Sequence, residues 1–190
     1  VYIKLIEDQI NKGKQVLYLL PEIALTIQII TRLQQRFGSN VNVFHSNLNS
    51  LKRVEIWKAL QNNGNKNRVS IILGARSSLF LPFSNLGLII VDEEHDSSFK
   101  QQQPSPRYNA RDGAIFLSSL HKAKVLLGSA TPSIETYFNA SKNKYGFVEL
   151  LKRYADIKLP KIKLVDIRKA GLKKEMNGVF SNLLITAISD

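Results

Sequence analysis

The chain has 190 residues, 44% of them hydrophobic, enough to bury a sizeable core in one domain and begin another, so a disordered tail is excluded. Lysine and arginine number 27 against 15 aspartates and glutamates, and the resulting formal net charge of +12 is spread along the chain; it suits a polyanion such as nucleic acid and is also compatible with a cationic soluble surface. With no cysteine and no apolar run of the roughly 18 residues a membrane span needs, disulfides and thiolate metal ligands within these residues are ruled out, no membrane partner is expected, and a cytoplasmic location is.

Val1, Leu5, Ile6 and Ile10 stand near helical spacing, with neither a cap nor a charged leader before them. This predicts an opening helix and a segment of a longer protein. A strand is expected at 15–20, a helix at 24–37 ended by Gly38, and a second strand at 41–45. The next helix begins near Asn49, with Leu48, Leu51, Val54, Trp57 and Leu60 at three-residue steps read as its core face, and it runs out in the polar stretch 61–67. Strands follow at 69–73, 87–91 and 124–127, with a helix at 109–121 before the last of them, and Thr131-Pro132 reads as a helix cap followed by a first-turn proline.

Alternating helical and strand periodicity over about 140 residues is the pattern of βα units in a parallel sheet with helices on both faces, an α/β fold. Beyond residue 152 the rhythm changes: 154–163 is basic and contains Pro160, 162–166 reads as a short strand, and 180–188 as a helix. The expected organisation is one unit at 1–151, then a linker and the start of a second unit at 152–190.

The most informative stretch is Leu88-Ile89-Ile90-Val91-Asp92-Glu93-Glu94-His95-Asp96, an aliphatic run set against three consecutive carboxylates and a histidine. A strand of this kind, covered on both faces, presents its functional groups at its carboxyl end. Nucleotide cleavage needs one acid to hold magnesium and a second group to orient or deprotonate the attacking water; Asp92 fits the first role and Glu93 the second. Alone, such a cluster is also compatible with helix capping or a solvated loop. A second signal, Leu127-Gly128-Ser129-Ala130-Thr131-Pro132, is a strand ending in a small-residue turn with two hydroxyls, also readable as a capped helix start.

In this order on successive strands, Asp92-Glu93-Glu94-His95 and Ser129-Ala130-Thr131 resemble the Walker B and third motifs of superfamily 2 helicases. Pro21-Glu22-Ile23-Ala24-Leu25-Thr26, His45-Ser46, Gly74-Ala75-Arg76-Ser77-Ser78, Ser97-Ser98-Phe99-Lys100-Gln101-Gln102 and Pro106-Arg107-Tyr108-Asn109-Ala110-Arg111-Asp112 narrow the likeness. Together they closely resemble the primosomal protein N′ (PriA) family of replication-restart helicases, over the whole chain. The resemblance implies a RecA-like first motor lobe of the P-loop NTPase type and the beginning of a second.

It further implies ATP and Mg2+ as cofactors, with Asp92 binding the metal, Glu93 activating water, Glu94 completing the catalytic box and His95 coupling nucleotide state to DNA contacts. Ser129, Ala130 and Thr131 take coupling roles by the same likeness; Arg76, which follows a strand and a glycine, reads as a DNA-contacting or coupling residue, with a salt bridge as the alternative. Pro21, Glu22 and Thr26 match the motif that meets the single-stranded backbone, for which a plain strand-to-helix turn is the alternative. Lys100, Arg107, Tyr108 and Arg111 match an aromatic-rich loop that, the resemblance implies, touches single-stranded DNA and links that contact to hydrolysis; its aromatics here are only Phe99 and Tyr108, and a simple surface loop is the alternative there.

The family's Gly-Lys-Thr phosphate loop, amino-terminal DNA-binding region, cysteine-rich Zn2+ module and second-lobe arginine are not found in these residues, so the segment alone is expected to be inactive. The implied activity of the whole protein is ATP-dependent 3′ to 5′ unwinding at stalled forks. Its implied partners are forked and single-stranded DNA, primosome proteins and single-strand-binding protein. Another superfamily 2 translocase of repair or restriction, or a non-catalytic DNA-binding scaffold with a motor fold, are the alternatives.

Overall fold

The computed structural model describes residues 1–21, 27–61, 70–151 and 162–189, which fall into two compact units, Val1–Gly146 and Phe147–Asp190. In the first unit α1 (Tyr2–Asn11) leads into β1 (Gln15–Leu19), followed by α2 (Ile27–Phe37), β2 (Val41–Phe44), α3 (Ser50–Gln61), β3 (Ile71–Gly74), β4 (Leu86–Asp92), α4 (Ala110–His121), β5 (Lys124–Gly128) and α5 (Ile134–Ser141). The five strands form one sheet in the order β2-β3-β1-β4-β5, with every neighbouring pair parallel. This is the α/β architecture expected from the alternating periodicities, and the RecA-like fold that the family resemblance implies.

Side chains of a strand alternate between faces, and here the alternation sorts two cores. Leu17, Leu19, Ile72, Ile89 and Val91 pack with Ile56 and Leu60 of α3, Ala110 and Ala114 of α4, and Phe99. Val16, Tyr18, Leu20, Ile71, Leu73, Leu88 and Ile90 pack on the opposite face with Ile6 of α1 and Leu33 of α2. Every residue of β1 is buried, the polar Gln15 at its start and the Tyr18 phenol among them. Each buried aliphatic side chain contributes roughly 1.5–3 kcal/mol by leaving water.

The expected core face of α3 holds at Leu60, which is buried, and at Leu48, which packs against the core, but not between them. Leu51, Val54 and Trp57 are exposed, Trp57 by 46%, whereas Ile56 and Leu60 are buried. The reason is angular: a residue every three positions falls about 60° behind at each step of a 3.6-residue helix, so the run spirals off the face, while a four-residue step such as Ile56 to Leu60 stays on it. Thr131 and Pro132 are also not the start of α5. Ser133 is its cap, accepting from the Thr136 backbone N–H.

In the second unit, 162–166 carries no strand. Instead Asp166 caps α6 (Ile167–Leu172), its carboxylate accepting the N–H groups of Arg168 and Lys169. β6 (Met176–Asn177) and β7 (Phe180–Ser181) pair antiparallel around a two-residue turn beginning at Gly178, whose φ of +60° suits glycine. That pairing claims Phe180 and Ser181, so α7 begins at Asn182 rather than at 180 and runs to Ser189. The expected start of the 24–37 helix, residues 62–69 and most of the expected linker lie outside the described residues. Among the described residues no helix is long and apolar enough to cross a membrane.

One polar residue is fully buried at the foot of the sheet. Gln15 accepts the N–H groups of Ser84 and Asn85, each at 2.9 Å, and its Nε2 donates to the Leu60 carbonyl at 3.0 Å. It thereby joins α3, the turn before β4 and β1. Gln15→Leu removes the acceptor for two buried-side N–H groups; we expect a loss of roughly 1–3 kcal/mol, read as a lowered urea midpoint with an unchanged m-value.

Candidate nucleotide-hydrolysis site

The alternation that sends Leu88 and Ile90 toward α1 carries Asp92 to the same side, at the carboxyl end of β4. There both carboxylate oxygens are bonded: Tyr2 donates to Oδ1 at 3.0 Å and Tyr18 to Oδ2 at 2.9 Å. The two rings meet edge to face with centroids 5.6 Å apart. Burial, and then the Asp92 charge and its hydrogen bonds, raise both phenols well above the ordinary tyrosine range, so they remain donors. These tyrosines were not among the expected site residues; a phenol within the apolar run 16–20 is the one local signal for Tyr18.

Gly128 of β5 lies opposite Asp92 in register. A Cβ there would stand 1.8 Å from the Tyr2 hydroxyl, so the absence of a side chain is what lets Tyr2 reach the acid. After Asp92 the backbone turns sharply. Glu93 adopts φ +52°, a left-handed conformation costing an L-residue roughly 1–2 kcal/mol, and its carbonyl accepts the Asp96 N–H at 2.8 Å. The turn leaves the Glu93 side chain half-exposed at the sheet edge.

His95 faces the loop after β5, as the paired motifs suggest. Its Nδ1 lies 2.7 Å from Ser129 Oγ and 3.7 Å from Glu93 Oε2, and its Nε2 lies 3.5 Å from Thr131 Oγ1. Ser129 Oγ also accepts the Thr131 N–H. Ala130 is exposed between them. The arrangement links the Glu93 carboxylate to the β5–α5 connection through one imidazole.

Glu94, expected in the catalytic box, is not at the open site. Its side chain is 1% exposed and accepts from Ser133 N at 2.7 Å, Ser133 Oγ at 3.0 Å, Thr136 Oγ1 at 2.8 Å and Arg111 NH1 at 3.2 Å. Burial alone would raise its pKa, yet the bonds from Ser133, Thr136 and Arg111 outweigh it and hold the carboxyl below the usual range. Arg111, expected to contact DNA, is turned inward. It donates to Ser133 Oγ at 2.7 Å and pairs with both Glu94 and Asp112. Ser133 and Thr136 were missed because their role depends on a partner about forty positions away.

The remaining expected DNA residues gather around the loop 100–109. Lys100 bridges to Asn109, and Gln101 N–H donates to the Tyr108 carbonyl, closing the loop at its base. Lys100 and Arg107 are exposed beside a 520 Å³ concavity they share with Gln101, Gln102 and Gln103. Tyr108 is half-buried against Phe80, the rings edge-on at 5.0 Å. Phe80 itself is 61% exposed, unlike its buried neighbours Leu79, Leu81 and Phe83. Arg76 NH1 donates to the Ser98 and Lys100 carbonyls. Pro21 is buried beyond β1; Glu22 and Thr26 lie outside the described residues.

The DEAD/DEAH box helicase family model matches residues 1–139, and the chain belongs to that family. Within it, the likeness is to the helicase core of replication restart proteins PriA: 46% identity to that of Rickettsia felis over 100% of this chain and 28% of that protein. Identity to PriA of Bacillus subtilis is 40% over 100% of this chain and 23% of that protein, and to PriA of Chlamydia trachomatis 41% over 99% and 24%. The chain thus spans about a quarter of the length of these relatives. A solved structure of RecG bound to a three-way DNA junction is similar with TM-score 0.47 and 23% identity, covering 71% of this chain and 16% of that one.

The family implies nucleotide and Mg2+, and Asp92 fits a cation. Its half-buried carboxylate accepts from uncharged donors, the Tyr2 and Tyr18 phenols and the Glu93 N–H at 3.2 Å, and among the described residues no cationic side chain pairs with it. Among the same residues no cluster of three or more His, Cys, Asp or Glu forms a complete metal cage. One carboxylate supplemented by phosphate oxygens and waters is the usual way magnesium is held.

Because Glu94 is held below its ordinary pKa, its contribution to stability is fully present above the unfolded value near 4.3 and is lost as pH falls through the lower folded value. The stability difference between the native chain and Glu94→Gln is therefore expected to be constant at neutral pH and to shrink below about pH 4, as followed by urea unfolding at stepped pH.

Proposed function

We propose that this chain is the nucleotide-hydrolysing first motor lobe, with the start of the second, of an ATP-dependent 3′ to 5′ DNA helicase that acts at stalled replication forks. The observation that carries the reading is the placement of Asp92 opposite Gly128, with Glu93 beside His95 and His95 against Ser129 and Thr131, at the carboxyl ends of two adjacent parallel strands. Asp92 would hold magnesium, which when bound neutralises charge on the phosphates. Glu93, raised from the sheet edge by its left-handed backbone, orients and deprotonates the attacking water.

His95 carries the state of that site to Ser129 and Thr131. Lys100 and Arg107 meet the phosphates of single-stranded DNA through charge, with Tyr108 offering one aromatic edge. Arg111 is left out of that contact set, because its guanidinium is committed to Glu94, Ser133 and Asp112. By the family likeness, Pro21, Glu22 and Thr26 would also belong to the single-strand contact set. In the longer protein, primosome proteins, single-strand-binding protein and a zinc module act beside this lobe. The similarity to PriA proteins supports this setting.

The test is ATP hydrolysis by the longer protein with and without forked DNA. Forks are expected to stimulate turnover, and Glu93→Gln to lower it about 10²- to 10⁴-fold while fork binding persists. Fork binding without DNA-stimulated turnover would favour a DNA-binding scaffold instead. Residues 1–190 alone contain no Gly-Lys-Thr phosphate loop, and phosphate positioning supplies most of the catalysis of phosphoryl transfer. The isolated segment is expected to turn over ATP at the background rate in the same assay.

A further inference from the structure

The buried carboxylate of Glu94 sits where three separate pieces of chain converge. Glu94 belongs to the turn after β4, Arg111 to the first turn of α4, and Ser133 and Thr136 to the cap and first turn of α5. All four polar contacts on the carboxylate come from the last two pieces. A buried ion pair adds little stability over a well-packed apolar replacement, but removing one partner leaves an uncompensated charge in the interior. What such a pair fixes is geometry: α4, α5 and the Glu94 turn cannot separate without stranding a charge.

Each of these pieces continues into a different part of the site. Arg111 lies two residues after Asn109, whose side chain caps α4 by accepting the Arg111 N–H at 2.9 Å and whose backbone closes the basic loop against Lys100. The other stem of that loop is gripped by Arg76 through the Lys100 carbonyl. On the α5 side, Ser133 lies four residues after Ser129, the hydroxyl that meets His95. A displacement of the loop base is thus passed to the first turn of α4, through Arg111 and Glu94 to Ser133, and so to the connection that His95 reads.

We propose that Glu94 and Arg111 are a positioning pair that ties the basic loop 100–109 to the β5–α5 connection, so that an anionic single strand bound at the loop changes the hydrolysis rate at Glu93. Neither residue touches the reacting atoms. The inference rests on the helicase reading above, and concerns which side chains carry the coupling.

The test uses the longer protein and the variants Arg111→Lys, Glu94→Gln and Thr136→Val, the last removing one donor to Glu94 without a change of size. Three quantities are measured: the ratio of DNA-stimulated to DNA-free ATP hydrolysis, single-strand affinity at two salt concentrations, and the melting temperature. The ratio is expected to fall about fivefold or more in Arg111→Lys and Glu94→Gln and by a smaller factor in Thr136→Val, with DNA affinity and its salt slope unchanged.

A proportional loss of both rates would mean that the pair serves the fold alone, and overturns the proposal. So does weaker binding with a shallower salt slope in Arg111→Lys, which would make Arg111 a phosphate contact. Should the charged-pair variants fail to fold, Thr136→Val decides: an unchanged ratio overturns the proposal and a lowered ratio at an unchanged melting temperature supports it. A native protein whose hydrolysis ignores DNA would defeat the helicase reading. Native stimulation with intact ratios in the variants defeats the pair alone.

Discussion

β4 is covered on both faces, and nearly everything at the site follows from where that cover ends. Leu88 to Val91 are buried, so the strand has no room for a charge until its last residue, and Asp92 emerges at the first position where polar partners are within reach. The alternation of side chains fixes which side it takes. It faces α1 because Leu88 and Ile90 do, and there Tyr2 and Tyr18 hold both oxygens. The next residue must leave the strand at once, since Glu94 N–H is already bonded to the Gly128 carbonyl at 3.1 Å. Glu93 absorbs that change of direction in its left-handed backbone. Four consecutive residues are thereby sent to four environments.

This explains why the acidic box is not chemically uniform. Asp92 is half-buried with neutral donors, Glu93 is open, Glu94 is sealed in with a cation, and His95 looks across to the neighbouring loop. Two carboxylates one residue apart acquire opposite roles, one available for chemistry and the other spent on joining helices. The environment decides this, since the side chains of Glu93 and Glu94 are identical.

The parallel sheet and the position of Asp92 were legible in the sequence because both depend on local pattern: aliphatic runs of strand length, and an acid directly after one of them. The face of α3 was misread for a reason that is also local, a three-residue step mistaken for a helical one, and Trp57 stands outside the core as a result. The roles of Glu94 and Arg111 were of another kind. Nothing in Glu-Glu-His or Ala-Arg-Asp distinguishes an exposed charge from a buried one; that depends on Ser133 and Thr136 arriving from the far side of β5. Likewise Phe180 and Ser181 have helical neighbours but are drawn into a hairpin by Gly178.

The close fit of Tyr2 over Gly128 sets a mechanical tolerance. Tyr2 is the first residue of α1, and its hydroxyl is bonded to Asp92 at 3.0 Å while the bare Cα of Gly128 lies directly beneath. Hydrogen bonds between a hydroxyl and an oxygen span about 2.5–3.0 Å, so this one has no slack to lengthen, and contact with β5 blocks travel the other way. The end of α1 is therefore gauged against the strand ends to within a few tenths of an ångström, a fraction of the roughly 1.5 Å rise of one helical residue. Whatever group lies at the start of that helix is indexed to the acid of β4 with the same precision, and a shift of the helix by a single residue's rise would disconnect the two altogether.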